Sequence, residues 1–314
     1  MHAIDIAGLR KVYAGGPGNR TARGGFEALK GIDLVIEKGD FFALLGPNGA
    51  GKSTLIGILA SLVIKSSGTC RIMGVDIDED MPRAKSHLGL VPQEFNLNIF
   101  EPPMQILINQ AGYYGITPKV ARMRAEKYLA QLGMMDKAHT PTRMLSGGMK
   151  RRLMIARALV HEPAILILDE PTAGVDIELR KIIWNFLTQL NASGTTIILT
   201  THYLEEAENL CRNIAIIDHG RIIAHTQMKK LLSRLNQQTY VIELVKPMAG
   251  NPRFAQFQPV RRDDYTLEIT LRRNQPMNAL FAAFSARKIG IRSVREKTNR
   301  LEQLFLELTG KAGN

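Results

Sequence analysis

The sequence has few cysteines and no long hydrophobic run. Its two cysteines, Cys70 and Cys211, lack CxxC spacing, which excludes a disulfide scaffold or a local zinc site. The longest apolar runs, such as Ala164–Leu168, have the length of a strand, far short of the roughly 20 residues of a membrane-spanning helix. Met1–Leu9 lacks the basic start and long apolar stretch of a secretion signal. We therefore expect a cytoplasmic protein with two buried thiols.

Charge is distributed unevenly along the chain. Hydrophobic residues make up 45% of the 314 residues and charged residues 22%, which is ordinary for a globular protein. Residues 1–220 carry 24 basic and 22 acidic side chains, whereas residues 221–314 carry 17 and 7, so the net charge of +12 lies mostly in the last third. A basic region can face nucleic acid, anionic lipid or an acidic partner, or be a solvated surface without a partner.

Apolar strands and amphipathic helices alternate over about the first 220 residues. The predicted strands are Phe41–Leu45, Leu88–Val91, Ala164–Leu168, Thr195–Thr200 and Asn213–Asp218. The predicted helices between and after them are Lys52–Val63, Ile177–Asn191 and Leu204–Leu210. Lys52–Val63 has Leu55, Ile58, Leu59 and Leu62 on one side. Continuous apolar strands separated by such helices indicate an α/β fold with a largely parallel sheet covered on both faces.

A helical stretch interrupts this alternation. Pro103–Gly112, Pro118–Gly133 and Gly147–Val160 have helical patterns, and we predict a helical subdomain at about residues 95–160, inserted into the α/β core. Gln227–Asn236 is predicted as a closing helix. The main domain is then residues 1–235.

The remaining residues, 236–314, are predicted to form a small basic α+β domain. Tyr240–Val245 and Tyr265–Leu271 have strand patterns, and Asn278–Ala286 and Leu301–Leu308 have helical ones. The apolar stripe of the last helix could pair two copies or close the core of its own domain, and we favour core closure. The glycine-rich stretch Gly15–Gly25 is predicted to be a loop.

A glycine-rich string follows the first buried strand. It matches GxxxxGK[ST] and consists, with the next residue, of Gly46, Pro47, Asn48, Gly49, Ala50, Gly51, Lys52, Ser53 and Thr54. Glycines let the backbone approach phosphate closely, and the start of the following helix attracts negative charge. In this motif Lys52 reaches the β and γ phosphates and Ser53 is a ligand of Mg²⁺. The string therefore predicts an ATP site.

Two carboxylates end a second buried strand. Asp169 and Glu170 follow four apolar residues, at the end of a parallel strand where ligands bind in open sheets. Asp169 can hold Mg²⁺ through water. Glu170 is placed to act as general base on an attacking water.

The full set of motifs resembles the ATP-binding cassettes of ABC transporters. Gln93 resembles the Q-loop glutamine, Asp176 the D-loop aspartate, His202 the switch histidine and Tyr13 the aromatic residue that stacks on adenine. The string Leu145, Ser146, Gly147, Gly148 and Met149 resembles the family signature. These motifs occur in the family's order over roughly residues 1–234. For Tyr13 the local alternative is a strand tyrosine that packs on its neighbours.

The resemblance implies a shared ATP site. In the family two copies form a head-to-tail homodimer, and the serine and glycines of one signature meet the γ-phosphate held by Lys52 of the other copy. Asp176 then lies at the dimer seam, and His202 orients the water together with Glu170. Gln93 senses Mg²⁺ and transmits its state to the helical subdomain, where separate membrane permease subunits dock.

Three functions are weighed on this basis. The leading hypothesis is the ATP-hydrolysing subunit of an ABC-2 type exporter, peripheral on the cytoplasmic face of the membrane, since Gly147–Leu153 and Pro171–Asp176 carry that narrower resemblance. The alternative is a soluble ABC ATPase acting on nucleic acid or ribosomes, prompted by the basic last third. No nucleic-acid partner is expected, because the chain has one cassette and no long coiled coil between its phosphate motifs. The third is a regulator that binds ATP without turnover, which an intact Glu170 and His202 argue against.

Other residues are interpreted as background. Lys150, Arg151 and Arg152 form a charge run at the start of a helix and are expected on a solvated face. Met149, Met154 and Trp184 are expected to pack in a core or an interface.

Overall fold

A mixed set of strands and helices extends along the chain as far as Gln227, and a smaller set follows it. The computed structural model describes residues 2–14, 25–235, 237–248, 250, 254, 256–272, 274–297 and 299–310. The loop predicted at Gly15–Gly25 lies outside the described residues except for Gly25. The chain divides into two units, Met1–Gln227 and Met228–Asn314.

The strands of the first unit belong to two sheets. In chain order they are β1 (His2–Tyr13), β2 (Phe26–Glu37), β3 (Phe41–Leu45), β4 (Ser67–Ile72), β5 (Val75–Asp76), β6 (Leu88–Val91), β7 (Ile165–Asp169), β8 (Thr196–Thr200), β9 (Asn213–Asp218) and β10 (Arg221–Gln227). The helices of this unit are α1 (Lys52–Leu59), α2 (Met81–Ser86), α3 (Pro103–Tyr113), α4 (Pro118–Gln131), α5 (Gly147–Leu159), α6 (Ile177–Ala192) and α7 (Leu204–Leu210).

The larger sheet has six strands in the order β10-β9-β3-β8-β7-β6. The pairs from β9 to β6 are parallel, and only β10 runs antiparallel to its neighbour β9. Every residue of β3 and β8 is buried, as continuous apolar strands require when both faces of a sheet are covered. The predicted α/β fold is confirmed. Because β3, β7 and β8 are parallel, their last residues, Leu45, Asp169 and Thr200, lie at the same edge of the sheet.

A second, antiparallel sheet was not predicted from the sequence. It has the strand order β2-β1-β4-β5, and its side chains share one apolar core with α1 and the larger sheet. The register of β1 against β2 shifts at several points, among them Ile6–Leu9, and Gly8 has a positive φ of 56°. These irregularities interrupt the alternation of buried and exposed residues by which a strand is predicted.

Three consecutive helices, α3, α4 and α5, lie in the stretch for which a helical insertion is predicted, and they pack on one another. Short 3-10 turns at Met135–Lys137 and Thr142–Met144 lead from α4 to α5. None of the helices in the described part of the chain is both long and apolar enough to cross a membrane.

Helix α1 is shorter than predicted. The predicted helix reached Val63, but α1 ends at Leu59, and Leu62 is 75% exposed instead of lying on the buried side. Ser61 takes a left-handed conformation with φ 58°, and the backbone N–H groups of Leu62 and Val63 donate to the carbonyl of Gly57. The chain thus folds back over Gly57, which has no side chain to obstruct it.

The second unit is a small antiparallel sheet with helices. Its elements are α8 (Met228–Leu232), β11 (Gln237–Leu244), β12 (Pro259–Arg261), β13 (Thr266–Arg272), α9 (Met277–Ala286), β14 (Ile291–Glu296) and α10 (Arg300–Leu308). The strand order is β12-β13-β11-β14. The helix predicted at Gln227–Asn236 is wrong at both ends, because Gln227 belongs to β10 and α8 covers only Met228–Leu232. Leu301 and Leu304 are buried while Leu308 is 37% exposed, and α10 contacts α8 of the same unit.

Candidate nucleotide-binding site

The glycine-rich string forms a loop between β3 and α1. A Cβ at Gly46 would lie 2.3 Å from the carbonyl oxygen of Ile217, and one at Gly51, where φ is 112°, would lie 2.9 Å from that of Ala28. Both contacts are with backbone, which cannot move aside easily, so these positions require glycine. The loop is also held by the N–H of Gly220, which donates to Ala50 O. The backbone is therefore fixed in a narrow cradle.

Lys52 lies over this cradle. Its ammonium donates to the carbonyl oxygens of Gly46 at 2.7 Å and Pro47 at 3.1 Å. Burial lowers the pKa of Lys52, and the nearby carboxylates of Asp169 and Glu170 oppose that shift. Gly51 precedes α1 without a side-chain cap, so the first N–H groups of the helix are available to an anion. The loop thus has the donors that a chain of phosphates needs.

The carboxylates at the end of β7 lie where the sequence predicts them. Asp169 Oδ1 accepts a short hydrogen bond from the hydroxyl of Thr200, at the end of the neighbouring strand. Glu170 has a positive φ of 52°, a region that residues other than glycine rarely adopt and that is often found at functional sites. Its N–H donates to the carbonyl of Thr200 at 3.0 Å. The side chain of Asp169 and the backbone of Glu170 are therefore both held at the edge of the sheet by β8.

Three predicted catalytic residues meet at one carboxylate oxygen. Glu170 Oε2 accepts from Gln93 Nε2 at 3.1 Å, and His202 Nδ1 lies 3.2 Å from the same atom. The Glu170 side chain is 18% exposed and that of His202 is 53% exposed. A carboxylate with an amide donor and an imidazole around it, still open to solvent, can accept a proton from a water that these groups orient.

His202 has further neighbours that fix its ring. The Tyr203 ring lies 4.0 Å from the imidazole, centroid to centroid. The guanidinium of Arg180, on α6, lies over the Tyr203 ring at 4.5 Å. The hydroxyl of Thr201 accepts from the N–H of Tyr203 at 3.0 Å. The switch segment, Thr201–Tyr203, is therefore joined to α6 by this contact and to β8, which ends at Thr200, by the chain itself.

The segment that carries Gln93 is held by a residue for which the sequence predicts only a solvated position. Arg151, on α5, is only 4% exposed, and its guanidinium donates to Pro92 O at 3.1 Å and Gln93 O at 2.9 Å. The same guanidinium lies 4.9 Å from the centre of the Phe95 ring. The expectation of a solvated face is wrong for Arg151, because its partners come from a segment 58 and 59 residues away and no local pattern reveals them.

Arg152 also departs from the expected solvated face. Its guanidinium donates to the carbonyl oxygens of Leu132 and Gly133, at 2.8 and 3.1 Å, where α4 ends. Of the residues expected to pack, Met154 is fully buried, while Met149 and Trp184 are half-buried. Arg151 thus binds the segment that carries Gln93, and Arg152 binds the end of α4 in the helical insertion.

The signature string begins α5. Ser146 is the N-cap, and its hydroxyl accepts from the N–H of Met149 at 3.3 Å. Leu145 is buried, whereas Ser146 and Gly147 are exposed. A Cβ at Gly148 would lie 2.2 Å from Cδ2 of Leu179, so any larger residue there would displace that side chain. The exposed serine and glycine at a helix start form a second surface suited to an anion.

Asp176 and Tyr13 have local partners. Asp176 is exposed and caps α6, accepting from the N–H of Leu179 at 2.8 Å. Tyr13 is 38% exposed, and its hydroxyl lies 3.4 Å from that of Thr54 on α1. The ammonium of Lys11 lies 4.7 Å from the centre of the Tyr13 ring. Tyr13 therefore lies next to the phosphate loop, and its role toward adenine stays a prediction.

The donor set at this edge fits Mg²⁺ bound together with phosphate. The hydroxyl of Ser53, the amide of Gln93 and the carboxylate of Asp169 are oxygen ligands of the kind that Mg²⁺ prefers, and the ion commonly takes one or two carboxylates and completes its shell with phosphate oxygens and water. Within the described residues no cluster of three or more His, Cys, Asp or Glu side chains could hold a metal by itself. An ion that depends on its nucleotide is consistent with this arrangement.

Comparison with known proteins places these features in a family. The family model described as ABC transporter matches residues 29–173. The chain is 37% identical over 300 residues to the linearmycin resistance ATP-binding protein LnrL of Bacillus subtilis, with 93% of this chain and 96% of that protein covered. It is 35% identical over 325 residues to the Nod factor export ATP-binding protein I of Ralstonia nicotianae, with 98% and 94% covered.

A solved structure has the same fold. The ATP-binding cassette MJ0796, in a dimeric post-hydrolysis state bound to ADP and Pi, matches with a TM-score of 0.64 and 26% identity. The match covers 72% of this chain and 98% of that one. The similarity therefore extends over a whole cassette and leaves about a quarter of this chain outside it.

Proposed function

Because this chain belongs to the ABC transporter family, we propose that it is the ATP-hydrolysing subunit of an ABC-2 type exporter, whose cargo passes through separate membrane permease subunits. The observation that carries the proposal is the meeting of Gln93 and His202 at Glu170 Oε2, at the sheet edge where β7 ends. The relatives named for Nod factor export and linearmycin resistance support export as the purpose. Within this type, the strings Gln110–Gly115 and Thr200–Glu206 resemble the bacterial subunit YadG.

The chemistry follows from the positions of the side chains. Loop N–H groups and Lys52 hold the β and γ phosphates of ATP. Glu170 accepts a proton from a water whose oxygen attacks the γ-phosphorus, while the bond to the bridging oxygen breaks and ADP leaves with those electrons. Gln93 and His202 keep the water and Glu170 aligned. Mg²⁺, when bound by Ser53, Gln93 and Asp169, neutralises charge on the phosphates.

We infer that each ATP site is completed by a second copy. Ser146 and Gly147 are exposed and Gly148 leaves no room for a side chain, so this surface can approach phosphate held by the partner's loop. Two such anion-binding surfaces on one chain make two equivalent sites in a head-to-tail homodimer. Asp176 at the start of α6 would lie at the seam, and the adenine would stack on Tyr13.

The permease is proposed to dock beside the helical insertion. An open cavity of about 280 Å3 lies among residues of α3, α5 and the segments around β6, including Asn96, Tyr114 and Arg157. Leu62 on its rim is 75% exposed, and Ile64 close to it in sequence is 85% exposed. Exposed aliphatic side chains beside a polar cavity suit a short amphipathic segment of a partner. Docking there would hold the chain on the cytoplasmic face of the membrane.

The predicted domain of residues 236–314 is proposed to be an accessory domain. Because residues 221–314 are strongly basic, the rival proposal is a soluble ABC ATPase that acts on nucleic acid or ribosomes. The names of the relatives, which refer to export and resistance, do not favour this rival. Nucleic-acid affinity that falls steeply with salt would support the rival. We expect none.

Substitution of the general base tests the proposed function. Glu170→Gln should keep ATP binding, lose hydrolysis by at least about 100-fold and accumulate an ATP-bound dimer, because the amide cannot accept the proton. Glu205→Gln, an exposed position on α7, is the matched control and should leave turnover unchanged. ATPase rates and light scattering measure the two outcomes. Hydrolysis by Glu170→Gln at the unaltered rate would remove Glu170 as general base.

A further inference from the structure

A buried carboxyl lies behind the catalytic edge. Glu206, on α7, has no exposed surface, and its Oε1 accepts from Thr172 Oγ1 at 3.1 Å and from Trp184 Nε1 at 2.9 Å. Burial raises the pKa of Glu206, while hydrogen bonds from Trp184 and Thr172 and the charge of Arg180 oppose the shift. A carboxyl in such a place is unfavourable unless its partners are well arranged. Its partners therefore indicate its role.

Each partner belongs to a segment that carries a residue of the ATP site. Thr172 follows Glu170 by two positions and precedes the segment that ends at Asp176. Trp184 lies on α6, the helix that Asp176 caps. The backbone N–H of Glu206 itself donates to the carbonyl of Tyr203, the residue after His202, at 2.9 Å. Glu206 thus joins the segments of the general base, the dimer seam and the switch histidine.

A second connection runs parallel to the first. Arg180, also on α6, lies over the Tyr203 ring, and that ring contacts the imidazole of His202. The start of α6 and the switch segment are therefore joined twice, by the Glu206 hydrogen bonds and by the stack of Arg180 on Tyr203. A shift at the start of α6 would therefore act on the segment that carries His202 through both connections.

We propose that Glu206 is a positioning residue that couples the dimer seam to the switch histidine. The proposal rests on the proposed function. When a second copy meets the segment at Asp176, α6 and Thr172 move together with Glu206, and the backbone of Tyr203, which accepts from the N–H of Glu206, carries the movement to His202 beside Glu170 Oε2. Glu206 touches neither ATP nor the attacking water, and it acts through the orientation of His202.

Three substitutions separate this role from simple packing. Glu206→Ala leaves buried donors without a partner and should lower kcat by at least about 10-fold while changing KM for ATP by less than about 3-fold. Glu206→Gln keeps an acceptor oxygen and should restore kcat to within about 3-fold of the parent. Ile183→Ala, a fully buried apolar neighbour on α6, is the control for lost stability and should keep kcat at temperatures where it is folded.

The single tryptophan of the chain provides a readout apart from turnover. Trp184 donates to Glu206, so its fluorescence reports on this contact. In a Glu170→Gln background, ATP with Mg²⁺ should shift the Trp184 emission as the dimer forms. With Glu206→Ala added, the dimer should still form by light scattering, and the emission shift should be lost.

Two results would overturn the role of Glu206. One is a kcat of Glu206→Ala equal to that of Ile183→Ala, with the emission shift retained. If Glu206→Ala does not fold, Thr172→Val is used instead. The effects of Thr172→Val and Glu206→Gln on kcat are then compared, singly and combined, in a double-mutant cycle. Additive effects of these two substitutions on kcat would contradict the coupling. Failure of the proposed function is distinct from both, because the parent chain itself would then neither hydrolyse ATP nor dimerise.

Discussion

Replacing Arg151 with methionine should weaken the protein and its catalysis together. The substitution removes two hydrogen bonds to Pro92 O and Gln93 O and the contact with the Phe95 ring. Hydrogen bonds from a charged donor contribute about 1.5–3 kcal/mol each, and a partly buried cation–π contact about 0.5–2 kcal/mol. Methionine avoids the desolvation cost of a buried charge, which offsets part of this loss. We expect a net loss of about 3 kcal/mol in the free energy of unfolding.

The stability change should appear as a lower melting temperature. For a domain of this size each kcal/mol corresponds to roughly 2–4 °C, so differential scanning calorimetry should show a fall of about 6–12 °C. Because the carbonyl of Gln93 loses this donor, the amide of Gln93 should no longer be held against Glu170. We expect kcat to fall by at least about 10-fold at a temperature where the variant is folded. Arg151→Lys should recover only part of either loss, since an ammonium lacks the planar fork of a guanidinium.

Arg152→Met is the matched control for this prediction. It also removes two hydrogen bonds to backbone carbonyls, but these belong to Leu132 and Gly133 at the end of α4. It should lower the melting temperature comparably while reducing kcat much less than Arg151→Met does. Equal kcat losses in the two variants would refute the idea that Arg151 acts through the segment that carries Gln93.

Three further predictions concern thiols, pH and the loop. Burial raises the pKa of Cys70 to about 12 and that of Cys211 well above its usual value, so a thiol reagent at pH 8 should label neither in the folded protein and both in denaturant. Burial lowers the pKa of His161 to about 4. As the pH falls, the unfolded chain takes up this proton before the folded protein does. The contribution of His161 to the free energy of unfolding is therefore fully present above about pH 6.5 and falls by up to about 3 kcal/mol toward pH 4. Denaturant titrations of the parent and of His161→Gln should show a smaller fall in the variant, and equal falls would contradict this assignment. Gly46→Ala should abolish ATP binding measured by calorimetry, because its Cβ would meet the Ile217 carbonyl. Gly49→Ala, with nothing within 4 Å and φ +78°, should only weaken binding, since its cost is backbone strain of about 1–2 kcal/mol.

The parts of the site that the sequence predicts are those encoded locally. The phosphate loop is a continuous string, and Asp169 and Glu170 directly follow the apolar strand that positions them. The resemblance to the family adds Gln93 and His202, and the structure brings both to Glu170 Oε2. Their distances could not be predicted, because they depend on how β6, β7 and β8 align in the sheet.

The parts that the sequence does not predict depend on long-range partners. Arg151 resembles any basic residue at the start of a helix until Pro92 and Gln93 are placed against it. Glu206 stands in an acidic pair that looks solvated, and only the fold surrounds it with Thr172 and Trp184. The antiparallel sheet could not be predicted because the register of β1 is irregular. Bulges interrupt the alternation of buried and exposed residues from which strands are recognised.

The shared site is the central claim, and mixing two inactive variants tests it most directly. Lys52→Ala damages the loop that holds the phosphates, and Ser146→Arg damages the signature surface that meets the partner's ATP. Each homodimer alone should therefore be inactive. A mixed dimer contains one site with both faults and one site with neither. If copies exchange freely and the sites work independently, an equal mixture should recover about a quarter of the parent ATPase activity. A mixture no more active than the sum of its two inactive components would contradict the account, because sites contained within single chains cannot complement each other.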